Sequence, residues 1–485
     1  MKALLIFAPP SSKYAHDYKH TIGIGIPMGI ASLAAVLERA GAGVDVYDFQ
    51  LAGNDLPGLL RALKKGYDLI GVSCFTLSSL SAYGIIKEIK KEAPGVPVVI
   101  GGPHASALGG GVLDECEADI AVLGEGEATL EELARELNGG RLSDIKGIAY
   151  RENGEVRTTE PRPLIDNLDS LPMPALHLFE VGRYEQPGGA SRYFPSINMF
   201  TSRGCPYNCV FCYKKLWGRE LRYRSVDSIM AEIAMLRADY GAGEIAFFDD
   251  TFTADRERAV SFCERMIADE NRIPWRCNSR VDCVDKELLA LMKRAGCYSI
   301  GYGIESGNAE VLRKSGKGIT LEQAREAIKD THGAGMESRG YFIFNLPGDT
   351  RETMEDTTRF ALSLKLTVAN FTIAQPYIGA QLREIVRKGA GYRIDEEKWN
   401  DWSAYSDKEV IFTQGDVGEQ ELKKINSRAF MRFYLRPGYI FRALRRVNSI
   451  EQIKSYIFAA YWVIRTNLET SGRGARGKRS GAREM

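Results

Sequence analysis

The sequence predicts an α/β protein in two parts: an N-terminal doubly wound domain, then an open (β/α)6 partial TIM barrel carrying a helical C-terminal extension. Three observations carry this. Short apolar runs alternate with helical patterns five times before residue 140, and the alternation resumes at Ser196 for six further units to about residue 380. After Pro376 the strand signal gives way to helical, aromatic and increasingly basic sequence. A chain of 485 residues exceeds what one hydrophobic core organises, so two or three domains are expected.

In the first part the runs are Ala3–Ala8, Val44–Asp48, Leu69–Ser73, Val98–Gly101 and Ile120–Leu123. They are apolar throughout instead of alternating, which suits parallel strands covered by helices on both faces. A Rossmann- or flavodoxin-like domain over 1–140 follows. From 141 to 195 the periodicity fades, Pro161, Pro163, Pro172, Pro174 and Pro187 punctuate the chain, and Gly147–Arg151 is a weak strand candidate; this reads as a linker. Barrel strands are expected at Ile197–Thr201, Glu244–Phe248, Trp275–Asn278, Ser299–Ile304, Ser338–Phe344 and Ala369–Gln375, within a domain spanning 196–380. Ligands of such folds sit at the carboxyl ends of the strands. A helical region over 381–470, broken at Arg436-Pro437, precedes a basic, Gly- and Ser-rich tail over 471–485 that reads as disordered.

Lys plus Arg total 64 against 63 for Asp plus Glu, so a net charge of +1 exerts no global pull toward nucleic acid, and no helix-turn-helix or other readout motif is present. Nine cysteines, an odd number, are scattered over a long chain, and Met1–Phe7 lacks the shape of a signal peptide, so a reducing cytoplasm is expected. Arg436, Arg442, Arg445 and Arg446 interleave with Phe433, Tyr434, Tyr439, Ile440, Phe441 and Leu444. That composition suits an interfacial helix making peripheral membrane contact, and equally a helix packed on the barrel with a solvated basic face.

Just after the first barrel strand comes Arg203-Gly204-Cys205-Pro206-Tyr207-Asn208-Cys209-Val210-Phe211-Cys212-Tyr213, a C-x3-C-x2-C spacing in one loop. Iron–sulfur clusters take Cys thiolates, and a cubane with three protein ligands leaves one iron open. A closed zinc site would need a fourth ligand, such as a distant His. Here the sequence resembles the radical S-adenosylmethionine superfamily, whose signature is this spacing with an aromatic after the last cysteine, Tyr213 in this chain. The resemblance implies a [4Fe–4S] cluster on Cys205, Cys209 and Cys212, S-adenosylmethionine chelated at the open iron, release of a 5′-deoxyadenosyl radical, and an external electron donor such as flavodoxin or ferredoxin.

Other strand ends carry polar groups. The second ends in Asp249-Asp250-Thr251-Phe252-Thr253, where paired acids suit an ammonium group, although Asp and Thr also cap helices. Arg280, on the third, presents a planar fork that matches a carboxylate; Glu305, on the fourth, suits ribose hydroxyls. An ion pair involving either is the plainer alternative. The fifth strand and its turn, Gly340 to Thr350, resemble the family's adenine-packing segment, with Asn345 where relatives often carry glycine. The six remaining cysteines read as buried thiols.

The N-terminal domain, set before such a barrel, resembles the cobalamin-binding domain of cobalamin-dependent radical enzymes. Ile26-Pro27-Met28-Gly29-Ile30, Gly101-Gly102-Pro103-His104-Ala105 and Gly124-Glu125-Gly126-Glu127-Ala128 carry the likeness, all at strand carboxyl ends. Gly101, Gly102 and Gly124 would admit a flat macrocycle, while Ser73, Thr76 and Ser78 would line the slot for its tail. Without the barrel, a domain binding a nucleotide or nothing would fit the same glycines. The D-x-H-x-x-G motif that ligates cobalt elsewhere does not follow the first strand, and His104 reads as a loop residue.

Together these imply an oxygen-sensitive enzyme using a [4Fe–4S] cluster, S-adenosylmethionine and cobalamin to methylate an unactivated carbon, its substrate a small molecule such as a lipid or tetrapyrrole. Radical oxidative cyclisation, as in the anaerobic cyclase of bacteriochlorophyll synthesis, is the alternative chemistry. A non-catalytic cobalamin or redox sensor is the alternative of another class. The sequence assigns no residue to catalysis itself.

Overall fold

The computed structural model describes residues 1–9, 24–53, 55–137, 140–184, 191–269, 272–395 and 410–444. The five apolar runs become β1 (Lys2–Phe7), β2 (Gly43–Asp48), β3 (Leu69–Ser73), β4 (Val98–Gly101) and β5 (Ile120–Val122), all parallel. Both faces of this sheet are covered. Along β1, Leu4 and Ile6 enter a core with Ile86 and Ile89, while Ala3 and Leu5 enter a second core with Ala31 and Ala34. The helix Met28–Arg39 buries Ala31, Ala34 and Ala35, small side chains that let it lie close to the strands.

The expected linker is more ordered than its prolines suggest. Ile148–Glu152 (β6) and Glu155–Thr158 (β7) form an antiparallel hairpin that extends the sheet to the order β2-β1-β3-β4-β5-β6-β7. The weak candidate at Gly147–Arg151 is thus a sheet strand, with Ile148 and Ala149 fully buried. Strand order reverses between β1 and β3, which opens a crevice at their carboxyl ends.

The second part begins with β8 (Ser196–Met199), the short antiparallel pair β9 (Ser202–Arg203) and β10 (Arg222–Tyr223), then β11 (Glu244–Phe247), β12 (Trp275–Ser279), β13 (Cys297–Glu305), β14 (Glu337–Phe344) and β15 (Val368–Ile373). Its six-stranded sheet is parallel throughout, in the order β15-β14-β13-β12-β11-β8, so β8 and β15 are its two edges and the barrel is open. The outer face of the strands packs on helices: Phe247 and Trp275 meet Phe252 and Phe262 with ring centroids 4.8 to 5.5 Å apart. Truncating one of these buried rings costs about 3–5 kcal/mol. The inner face differs, because alternate residues of β12, β14 and β15 remain partly exposed and the lumen is open to solvent.

Strands do not end at Pro376. Tyr392–Ile394 (β16) and Phe412–Gln414 (β17) pair antiparallel beyond the barrel. Asn345 anchors them: its amide donates to the Phe412 carbonyl at 2.9 Å, and Gln414 donates back to Asn345 Oδ1 at 3.1 Å and to the Leu346 carbonyl at 2.7 Å. Asn345 has φ +65°, a left-handed conformation that Asn tolerates better than other non-glycine residues, so it takes the glycine backbone and adds a side-chain tie.

Helices Glu419–Tyr434 and Pro437–Leu444 follow. Arg436 caps Phe433 O at 2.9 Å and reaches Leu362 O at 2.8 Å, so it binds the barrel's helical layer and does not belong to a solvated basic face. Arg445, Arg446, the Arg442 side chain and the 471–485 tail lie outside the described residues. Among those residues no helix is long and apolar enough to cross a membrane.

Candidate active site

The cysteine loop leaves β9 through Gly204, whose φ is +91° and where a Cβ would lie 2.0 Å from Glu220 O, so only glycine fits this turn. Neighbouring barrel loops fix the rest: Val210 N donates to Ser315 O at 2.9 Å and Leu382 N to Val210 O at 2.7 Å. Cys209 is buried, Cys205 half-buried, and Cys212 exposed as a residue although protein surrounds its thiol. Burial, then the neighbouring Cys209 and Glu305, push the Cys212 thiol up to about 12; burial and Asp250 also raise Cys205. Thiols this reluctant to ionise become thiolates by binding a metal, which is what an iron–sulfur cluster asks of them. Among the described residues no group of three or more His, Cys, Asp or Glu is set to hold a single metal ion.

The two acids after β11 part company. Asp249 is buried, its Oδ1 accepting from Thr201 N at 2.9 Å, Thr201 Oγ1 at 3.0 Å and Ser202 Oγ at 2.5 Å, its Oδ2 from Thr201 Oγ1 at 3.1 Å. It organises the chain entering the cysteine loop. Asp250 faces the mouth, walled by protein, and burial followed by repulsion from Asp249 pushes its carboxyl up to about 6. An approaching cation would relieve both effects.

Arg280 is largely committed. Its fork grips Asp282 at 2.9 and 2.8 Å, Nη2 also donates to Lys317 O at 2.8 Å, and its plane stacks on the Tyr207 ring at 3.6 Å. Of its nitrogens Nη1 alone is buried without a partner, leaving that nitrogen's two N–H groups for a ligand. Glu305, at φ +68°, pairs with Lys317 at 2.9 Å, both nearly buried. Lys317 escapes sequence reasoning because it lies in a helix–helix turn far from any strand end. The buried hydroxyl of Tyr213 also has no partner, and its ring abuts Gly379, where a Cβ would stand 2.6 Å from it and 3.7 Å from Ala107 of the N-terminal domain.

At the carboxyl edge of the first sheet the expected residues divide. Gly102, at φ +102°, is required by Cys74, whose carbonyl would lie 2.8 Å from an added Cβ, so this glycine serves the close approach of two loops. Thr76 is bound at 3.2 Å to His104, whose other nitrogen meets Tyr83 at 2.9 Å. Burial lowers His104 to about 4, so it is a neutral core residue of the helix Pro103–Leu108, not the loop residue its sequence context suggests. Ser73 and Gly101 face each other across β3 and β4, half-buried at the crevice rim, and a Cβ on Gly124 would meet nothing within 4 Å. Phe75, 44% exposed and edge-on to Phe7, gives the crevice an apolar wall. The open ground over Gly124 and this wall suit a flat, largely apolar ligand.

Glu125 and Glu127 do something the glycine-rich motif does not announce. Both are buried. Arg203 donates to Glu125 at 2.8 Å and to Glu127 at 2.5 Å, and Arg222 donates to Glu125 at 2.9 Å. The segment is a docking clamp onto the strand that feeds the cysteine loop. Asn198 of β8 donates to Ile26 O at 3.0 Å. With Ala107 beside Gly379 past β15, the N-terminal domain touches both edges of the open barrel and spans its gap.

Residues 199–361 match the model of the radical SAM superfamily, and residues 20–134 match that of the B12 binding domain. The chain is 35% identical over 449 residues to an uncharacterized methyltransferase of Pyrococcus horikoshii, covering 91% of this chain and 94% of that one. It belongs to the cobalamin-binding radical S-adenosylmethionine family. This radical enzyme is also 29% identical to cytidylyl-2-hydroxyethylphosphonate methyltransferase of Streptomyces wedmorensis, over 80% of this chain and 82% of that one. It is 28% identical to the anaerobic magnesium-protoporphyrin IX monomethyl ester cyclase of Cereibacter sphaeroides, over 87% and 70%. Its fold matches OxsB, a cobalamin-dependent S-adenosylmethionine radical enzyme, with a TM-score of 0.74 at 18% identity, over 97% of this chain and 71% of that one.

Proposed function

We propose that this radical enzyme transfers a methyl group to an unactivated carbon of a small-molecule substrate. In this reading Cys205, Cys209 and Cys212 hold the [4Fe–4S] cluster; Asp250, Arg280 Nη1, Glu305 and Tyr213 face S-adenosylmethionine; and Ser73, Gly101 and Gly124 border cobalamin. When bound, the cluster supplies the electron that splits S-adenosylmethionine and cobalamin supplies a methyl carrier. The chain's own part is placement. Asp250 offers a carboxylate to the ammonium group, Arg280 its Nη1 nitrogen to the carboxylate, and the Arg203 clamp holds the cysteine loop against the neighbouring domain.

One observation carries the reading: Tyr213 of the cysteine loop, Gly379 beyond β15 and Ala107 beyond β4 close on one another, so the carboxyl ends of both parallel sheets open onto one space. Two cofactors serving one substrate carbon need that convergence. The methyltransferase relatives support transfer, and nine unpaired cysteines, six of them buried, suit a reducing compartment with a flavodoxin or ferredoxin as electron donor.

The test is stoichiometric. Incubated anaerobically with metabolite extracts and methyl-labelled S-adenosylmethionine, the enzyme is expected to form 5′-deoxyadenosine and S-adenosylhomocysteine in about equal amounts once uncoupled cleavage is subtracted, because one cosubstrate is the radical source and another the methyl source. Label appears in a product. The cyclase relative supplies the competing outcome, substrate-dependent deoxyadenosine with no labelled product, which would reject methylation and keep the radical core.

A further inference from the structure

The barrel lumen is built from residues that no cofactor claims. Along β12 the inward positions are Arg276 and Asn278, and register carries the same rings across the sheet: Asn198 through Ala246 to Arg276, Ser299 and Glu337, then Asn278 through Gly301 to Arg339 and Val368, then Gly303 to Tyr341 and Asn370. Apart from Ala246 and Val368, every side chain in these rings is polar. Arg276, Asn278, Tyr341 and Asn370 are partly exposed to the lumen, whereas their outward neighbours Trp275, Cys277, Phe342 and Phe371 are buried among helices. Asn198 Oδ1 and Ser299 Oγ, each in a residue no more than 4% exposed, have no hydrogen-bond partner.

Charge at the lumen floor is asymmetric in its reach. Glu244 is fully buried, and neutral donors saturate it: Ser196 Oγ and Tyr298 OH at 2.8 Å, Arg192 N and Tyr193 N at 3.0 Å. Arg276 reaches it through Nε at 3.3 Å and donates from Nη2 to Ser191 Oγ at 3.4 Å, so Nη1 is the nitrogen of its guanidinium left for a ligand. Glu337 is engaged by Arg192 at 2.5 Å. Arg339 stands close enough to Arg276 to repel it, which with burial holds Arg276 below its ordinary value. An anion entering the lumen would be attracted by both guanidiniums.

We infer that the lumen is the substrate subsite and that it takes a polar substrate bearing an anionic group, a carboxylate or a phosphoryl or phosphonyl group, seated at Arg276. The inference rests on the proposed function for what happens to that substrate, and only for that. Beyond the bonds Arg276 makes to Glu244 and Ser191 and Asn278 makes to Tyr341, a hydrocarbon chain drawn into this lumen would strip water from Arg276 Nη1 and the Asn370 amide with nothing in exchange, at about 2–7 kcal/mol for each unpaired polar group. An oxyanion instead meets a planar fork suited to it. Four strand residues separate Arg276 from Arg280, about 13 Å at 3.3 Å per residue. A substrate held by its anion at the floor therefore presents its other end at the level of the cysteine loop. This replaces the sequence expectation of a lipid by a compact polar acceptor.

The experiment titrates methylphosphonate into the full-length enzyme carrying cluster, cobalamin and S-adenosylmethionine, reading 31P line width without turnover. Saturable broadening is expected, weakened at least tenfold in Arg276→Gln, largely retained in Arg276→Lys, and unchanged in Arg256→Gln on the exposed outer helix. Acetate that competes identifies a general oxyanion site, and acetate that fails to compete identifies a phosphoryl or phosphonyl site; either result supports the inference. S-adenosylmethionine binding by the Gln variant reports that it is folded, and Asn370→Leu, expected to weaken the same broadening, stands in if it is not. Broadening that does not saturate, or that is equal in wild type and Arg276→Gln, would overturn the inference. So would a methyl acceptor recovered from a neutral-lipid fraction. Because binding is read directly, absence of methyl transfer would sink the proposed function and leave this subsite standing.

Discussion

The Arg203 guanidinium, two residues before the first cluster cysteine, lies 2.8 Å from the Glu125 carboxylate of the neighbouring domain. Arg222 shares that carboxylate at 2.9 Å, with 5% of its side chain exposed, and Glu127 takes the other arm of Arg203. Such a network contributes little net stability, since desolvation offsets attraction, yet losing one member leaves a buried charge at a cost of about 3–5 kcal/mol. Glu125→Gln is therefore expected to lower the urea midpoint and to raise deoxyadenosine formed per methyl transferred. Glu125→Gln with Arg222→Met should recover part of the stability. An unchanged midpoint and product ratio in the single variant would show that the clamp is idle.

Replacing Cys205, Cys209 or Cys212 by Ala is expected to abolish the cluster's visible absorption and deoxyadenosine formation, because a cubane held by three thiolates cannot spare one. Cys263, fully buried in the core against the outer face of the barrel, is the control. Cys263→Ala should retain iron and lose only about 1 kcal/mol of stability through the small cavity it leaves. Iron analysis and absorption spectra decide.

Much of this was legible in the sequence, and the exceptions have physical causes. Apolar runs located the strands because buried parallel strands have no polar face to confuse the signal. The β6–β7 hairpin was hidden because Arg151, Glu152, Glu155 and Arg157 make an edge strand look like a loop, and β16 and β17 are too short to show a period. The C-x3-C-x2-C spacing of Cys205, Cys209 and Cys212 was readable because it is local in sequence. Asp249, Gly102 and Thr76 were read as facing ligands, and the sequence could not show that each also meets a distant residue, Thr201, Cys74 and His104, which lie 48, 28 and 28 residues away. Glu125 and Glu127 likewise needed Arg203 and Arg222 placed beside them before their role could be seen.

Asp349, at the turn after β14, accepts from Leu346 N at 2.9 Å and Thr353 Oγ1 at 2.7 Å, but burial outweighs both and raises its carboxyl to about 7. In an unfolded chain an Asp titrates near 3.9. The folded state thus disfavours the charged form. Its penalty is fully present above about pH 7 and vanishes as pH falls toward 4, amounting to roughly 3–4 kcal/mol at most. Asp349→Asn, which keeps an acceptor and carries no charge, is expected to be more stable than wild type at pH 8, with the gap narrowing steadily to pH 5. A gap that widens on acidification would reverse the assignment.

His104 sits in the glycine-rich segment where a cobalt ligand would be sought, and its surroundings argue against that task. Nδ1 is held by Thr76 and Nε2 by Tyr83, the ring is fully buried, and the backbone N–H is spent on Cys74 O at 3.1 Å. A nitrogen could reach a metal only by giving up one of these bonds and leaving a hydroxyl unsatisfied in the core, at about 1–3 kcal/mol. No metal-binding advantage is built in, because a ligating His normally donates its second nitrogen to a carboxylate or carbonyl that raises its basicity. Here burial lowers it. In the reduced cob(II)alamin form, an axial imidazole would split each cobalt line into three through its nitrogen nucleus. His104→Gln is expected to leave the electron paramagnetic resonance spectrum of bound cob(II)alamin identical to wild type, while lowering the urea midpoint through the lost Thr76 and Tyr83 contacts. Triplet splitting in the wild type that disappears in His104→Gln would make this residue the ligand and require this segment to open when cobalamin binds.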